Sequence, residues 1–151
     1  MRFRIVRYSV VFLLFFVPAT AFSYQFDQFF WGMPRQEACG LLQEKGIAAA
    51  GQSGNSIFFS DTVFGAACIV KLDFTPENLL LNMVSLQWKD AHIGSVIRDA
   101  YKKRYGIPSK EGRALFSYRW VEKNSGDWIS LDYSGKTAEL VFSQGGLEPY
   151  R

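Results

Sequence analysis

The chain has 151 residues, 48% of them hydrophobic and 21% charged, with 14 Phe, 7 Tyr and 4 Trp. That length supports one domain with its own core, and that balance excludes a disordered chain. The formal net charge of +3 comes from the N-terminus: without Arg2, Arg4 and Arg7, basic and acidic residues are equal in number. A phosphate-backbone binder needs a net basic surface, so no nucleic-acid partner is expected.

The three leader arginines precede an unbroken apolar run, Val10 to Val17, and Pro18-Ala19-Thr20-Ala21 then supplies a break and an Ala-x-Ala cleavage signal. This is the order of a secretory signal peptide, predicted over residues 1–21 with cleavage after Ala21 and Ser23 as the near alternative. The run is shorter than the roughly 20 residues that cross a bilayer. No cysteine stands at the junction to take a lipid. An exported, periplasmic or secreted protein is expected, with a single domain over residues 22–145 and a polar tail, 146–151.

Residues 22–30 are aromatic and light in charge, an edge strand or an arm over the core. Trp31-Gly32 makes a turn, Pro34 suits the first helical residue, and Ala38, Leu41 and Leu42 give helical spacing up to a stop at Gly46. Strands are predicted over 56–60, 67–74 and 79–88, with a turn at 61–65 and another at Thr75-Pro76-Glu77-Asn78. Asp90 can cap a second helix, whose apolar stripe is Ile93, Val96, Ile97, Ala100, Tyr101 and Tyr105. Lys102, Lys103 and Arg104 complement its dipole, and Gly106 and Pro108 stop it. Strands over 114–121, 127–133 and 137–143 follow, the last two joined by Ser134-Gly135-Lys136.

Gly46-Ile47 and Gly106-Ile107 recur at nearly the same offset as Ile69–Phe74 and Trp128–Tyr133. The expected fold is therefore α+β: two αβββ units, about 31–89 and 90–144, forming a mainly antiparallel sheet with both helices on one face. Val70, Leu72, Phe74, Val84, Leu86, Trp88, Ile129, Leu131 and Tyr133 would lie under the helices. Lys71, Asp73, Ser85, Gln87, Arg119, Ser130, Asp132, Glu139 and Ser143 would face water, with Trp128 among them.

Chemistry-bearing motifs are sparse. His92 is the lone histidine and falls off the apolar stripe, as a solvated side chain does. No His/Cys cluster has metal-ligand spacing, and no GxSxG, P-loop or GxGxxG is present, so no cofactor, metal or catalytic residue is assigned. Asp73 and Asp132 occupy equivalent places in the repeat and read as solubilising carboxylates. Cys39 and Cys68 are a candidate disulfide in an oxidising compartment, worth about 3–4 kcal/mol for a loop of about 30 residues, or else two buried thiols. Trp128, on the polar side among Lys71, Asp73, Gln87, Arg119 and Asp132, is either an exposed contact anchor or a ring covered by Phe26, Phe29 or the tail.

Trp31-Gly32-Met33, the helix ending Lys45-Gly46, and Tyr105-Gly106-Ile107-Pro108 ahead of Trp120 and Ile129-Ser130-Leu131 resemble a broad group of small exported bacterial proteins without an established function. More distantly, the Gly-Met turn and helix look like the outer-membrane assembly lipoproteins of the BamE/SmpA type. The resemblance implies a fold and an envelope setting and transfers no catalytic residue. The expected function is a non-enzymatic binding protein for an envelope protein or ligand. The alternatives are a small hydrolase or thiol enzyme, and membrane-surface association through the leader or the arm Phe26–Trp31.

Overall fold

The structure, a computed structural model, describes residues 26–112 and 116–145. The leader, the first residues of the arm, the expected strand start at Ala114 and the tail lie outside the described residues. The elements are α1 (Arg35–Glu44), β1 (Gly51–Ser53), β2 (Ser56–Val63), β3 (Ala66–Phe74), β4 (Leu81–Trp88), α2 (Ile93–Tyr105), β5 (Lys110–Gly112), β6 (Ser117–Val121), β7 (Trp128–Ser134) and β8 (Thr137–Ser143). All strands join one antiparallel sheet of order β1-β2-β3-β4-β8-β7-β6-β5.

Each helix is thus followed by four strands rather than the expected three. The additions, β1 and β5, are three residues each, form the two sheet edges and carry no apolar alternation. Polar, short edge strands blunt pairing with another chain. The turn expected at 61–65 is also shorter. Strand β2 runs on to Val63, and Phe64-Gly65 alone reverse the chain, both at positive φ (55° and 76°). Two left-handed residues match the twist of a tight hairpin, although Asn or Gly is the usual choice at the first.

Helix α1 has no side-chain cap. Pro34 precedes the helix in extended conformation rather than opening it, and Arg35 N–H donates to Leu79 O. Gly32 N–H donates to Leu81 O, and Leu81 N–H returns to Met33 O. The start of the helix is therefore stitched to the start of β4, and these bonds replace the missing cap. At its other end Gly46 (φ 68°) donates to Gln43 O and Ile47 to Leu42 O, a Schellman closure. Asp90 does not cap α2 itself: its Oδ1 accepts from His92 N–H in the turn before the helix.

Strand parity decides the two faces. Phe59, Val70, Leu86, Leu140 and Leu131 form one row across five strands, and Ile57, Leu72, Val84, Phe142, Ile129 and Trp120 the next row on the same face. All are buried. Ala38 and Leu42 of α1 and Ile97 of α2 belong to the same core cluster. Tyr101 packs on Phe142 and Trp120, and Gly94 lies so close to Tyr133 that a Cβ there would stand 2.2 Å from its ring. The arm joins this side too, with Phe29 against Phe59 and Phe26 against Phe142. No helix among the described residues is long and apolar enough to cross a membrane.

Candidate functional site: the open sheet face

The intervening residues point away from the helices. Their middle row is Phe58, Lys71, Ser85, Val141, Ser130 and Arg119, flanked by Ser60, Ile69, Gln87, Glu139, Asp132 and Ser117 on one side. On the other side run Ser56, Asp73, Met83, Ser143, Trp128 and Val121. Every candidate contact residue named from the sequence lies in these rows.

Their grouping is local. On β3, Lys71 Nζ bridges Asp73 at 2.9 Å, Ser56 Oγ also donates to Asp73, and the ammonium lies 5.9 Å from the Phe58 ring centre. On β6 and β7, the Arg119 guanidinium lies 4.8 Å from the Trp128 ring centre. Trp128 is only 6% exposed, so of the two readings the covered ring holds and the exposed anchor does not. The position faces the polar side as expected, but Arg119 lies over the ring. What the face offers there is the stacked pair.

Gln87 stands opposite Glu139, and Glu139 opposite Asp132. Two carboxylates directly across an antiparallel pair repel. Partial desolvation, and then the Asp132 charge, push the Glu139 carboxyl above its usual range, with Lys71 opposing. Asp73 and Asp132 are on β3 and β7, three strand spacings or about 14 Å apart across the sheet, and in different rows, Asp73 level with Trp128. They do not converge for shared acid–base chemistry. Ser60, Ala67, Cys68, Ile69, Gln87 and Lys89 line a shallow depression of about 310 Å³, and Ile69 is 41% exposed in it.

The cysteines form no bridge. Cys39 is a half-buried free thiol on α1, and Cys68 a buried one on β3. Cys68 pairs with Asp61 near the Phe64-Gly65 hairpin, whereas α1 is tied at Arg35 to Leu79, beyond the opposite end of β3. Burial, and then the Asp61 charge, push the Cys68 thiol up to about 11. A thiol that keeps its proton at neutral pH is a poor nucleophile. His92 is exposed at the start of α2. Among the described residues no three His, Cys, Asp or Glu side chains group as metal ligands.

One polar centre escaped the sequence reading. Asp127 is 2% exposed, accepts from Trp31 Nε1 at 3.1 Å and from Gly145 N–H at 2.7 Å, and its own N–H donates to Ser125 Oγ. It ties the N-terminal turn, the β6–β7 loop and the end of β8 together. A lone Asp before a strand gives no sign of this in sequence, because both partners are far away along the chain. No protein family, curated protein or solved structure matches the chain.

Proposed function

We propose that the chain works after export as a periplasmic, non-enzymatic binding protein that receives an envelope protein on the open sheet face. The observation that carries this reading is the face itself. Its middle rows, with Ile69, Lys71, Gln87, Glu139 and Asp132 at least partly solvent-accessible, are covered by neither helix. Paired charges fix orientation, and apolar Phe58, Ile69 and Val141 among them supply contact area, the mixture that characterises non-obligate interfaces. The leader motif supports the location, and N-terminal sequencing of the exported protein should begin at Phe22 or Tyr24.

The sheet order supports a finer reading, that the halves α1–β4 and α2–β8 are equivalent units meeting last strand to last strand. The recurring segments Ile69–Phe74 and Trp128–Tyr133 fall on β3 and β7, the third strand of each half. A face built this way carries two related half-sites, Lys71–Asp73 on one side and Arg119–Trp128 with Asp132 on the other.

Photo-cross-linking side chains placed at Ile69 and Gln87, and as a control at Gln43 on α1, test the assignment in intact cells. Adducts of one mass from the two sheet positions and none from Gln43 are expected. Adducts from Gln43 alone, or none from the sheet positions, would reject the face as the site.

A further inference from the structure

The apolar stripe of α2 is wider than the surface it buries. Ile97 is fully buried, and Tyr101 and Tyr105 pack against the core. Val96 is 51% exposed and Ala100 is exposed too. Val96, Ala100 and Lys103 follow i, i+4, i+7 spacing and share one flank of the helix. Lys102 lies on another flank, with its ammonium 5.2 Å from the Tyr118 ring centre.

Two more exposed apolar side chains stand close to α2. Ile107, just past the helix end, is 90% exposed and is held there: Trp120 Nε1 donates to Gly106 O at 3.0 Å, Pro108 is buried, and Ser109 N–H donates to Arg119 O. An isoleucine fixed outward between two anchors is not a frayed end. Phe64, 40% exposed, stands at the β2–β3 hairpin tip with its ring 6.2 Å from that of Tyr101. Its φ of 55° is one that a bulky residue adopts rarely. Asn or Gly would relieve that backbone, so the aromatic ring is kept against a local cost.

Arg104, over the Tyr105 ring, and Lys103 add exposed positive charge, with Lys102 and the Arg98–Asp99 pair on the same helix. Apolar side chains that protrude beside clustered cations match a surface with a hydrocarbon interior and an anionic skin. A flat acidic protein surface would satisfy the charges but leave Ile107 and Phe64 without a place to enter.

We propose that the C-terminal half of α2 with Ile107 and the Phe64 hairpin tip docks the protein on an anionic phospholipid membrane. Phe64, Val96 and Ile107 enter the interface, and Lys103 and Arg104 meet the headgroup phosphates. Because α2 covers the face opposite the open rows, docking leaves the open face directed away from the lipid. The proposal does not depend on what that face binds.

Flotation of the exported, purified protein with phosphatidylglycerol/phosphatidylethanolamine vesicles, and separately with phosphatidylcholine vesicles, tests it. Binding to the anionic vesicles, weakened by salt and absent on the neutral ones, is expected. The double variant Lys103→Ser/Arg104→Ser should lower partitioning about tenfold or more. Ile107→Ser and Phe64→Asn should each lower it several-fold, while thermal melting shows both variants folded. No binding to the anionic vesicles, equal binding to both kinds, or unchanged binding by the folded variants would overturn the proposal.

Discussion

The two faces of the sheet are built from the same strands and differ only in residue parity, yet they are organised by different physics. On the covered face, consecutive rows of aliphatic and aromatic side chains meet two helices and an aromatic arm, and burial alone arranges them. On the open face, side chains settle in small local pairs, Lys71 with Asp73 along β3 and Arg119 with Trp128 across β6 and β7, and one pair, Asp132 and Glu139, is set against itself. Stability resides in the first face, while the second leaves polar and charged side chains open to solvent.

The largest expected contrast comes from neighbouring residues of β4. Leu86→Ala empties a fully buried central site and should cost about 2–5 kcal/mol in urea unfolding. Gln87→Ala, on the other face, should stay within about 0.5 kcal/mol. Equal effects would break the distinction between the faces. Gly94→Ala pushes a methyl into the Tyr133 ring and should cost about 1–3 kcal/mol, by lifting α2 from β7.

Asp127→Ala removes the acceptor for Trp31 and Gly145 and should cost about 1–3 kcal/mol. Tryptophan fluorescence would report the release of Trp31 beside the unfolding midpoint. That result would sharpen the comparison, since Asp127 is a buried polar group that stabilises by tying loops rather than by packing.

The smallest effect belongs to the open face. Glu139→Gln should stabilise the protein by about 0.2–1 kcal/mol at neutral pH by removing a partly desolvated charge and its cross-strand repulsion with Asp132. The sign with pH follows from the raised carboxyl of Glu139. The folded wild-type protein holds that proton more tightly than the unfolded chain, so the protonated Glu139 contributes stability in acid that is lost as pH rises through the folded value. The advantage of the variant should therefore grow between about pH 4 and pH 7, and a gap that is constant with pH would remove Asp132 and Glu139 from the account.

Alternation made the covered face legible: Val70, Leu72, Phe74, Val84, Leu86, Trp88, Ile129, Leu131 and Tyr133 are all buried as their spacing implies. Strands β1 and β5 were not legible, because three polar residues at a sheet edge carry no periodic signal. Trp128 lies on the face its parity implies, but alternation could not tell an exposed ring from a covered one. The stripe of α2 includes the exposed Val96 and Ala100, because periodicity says which residues share a flank and not how much of that flank a sheet can reach. The cysteines were undecided because bridging depends on where α1 crosses, and local spacing carries no such information.

Hydroxyl-radical footprinting of the purified, partner-free protein tests the central claim most directly, by comparing Ile69 with its strand neighbour Leu72. The account predicts that Ile69 is oxidised while Leu72 and Leu86 are protected. Protection of Ile69 to the level of Leu72 would mean that something already covers the second face, and would contradict it.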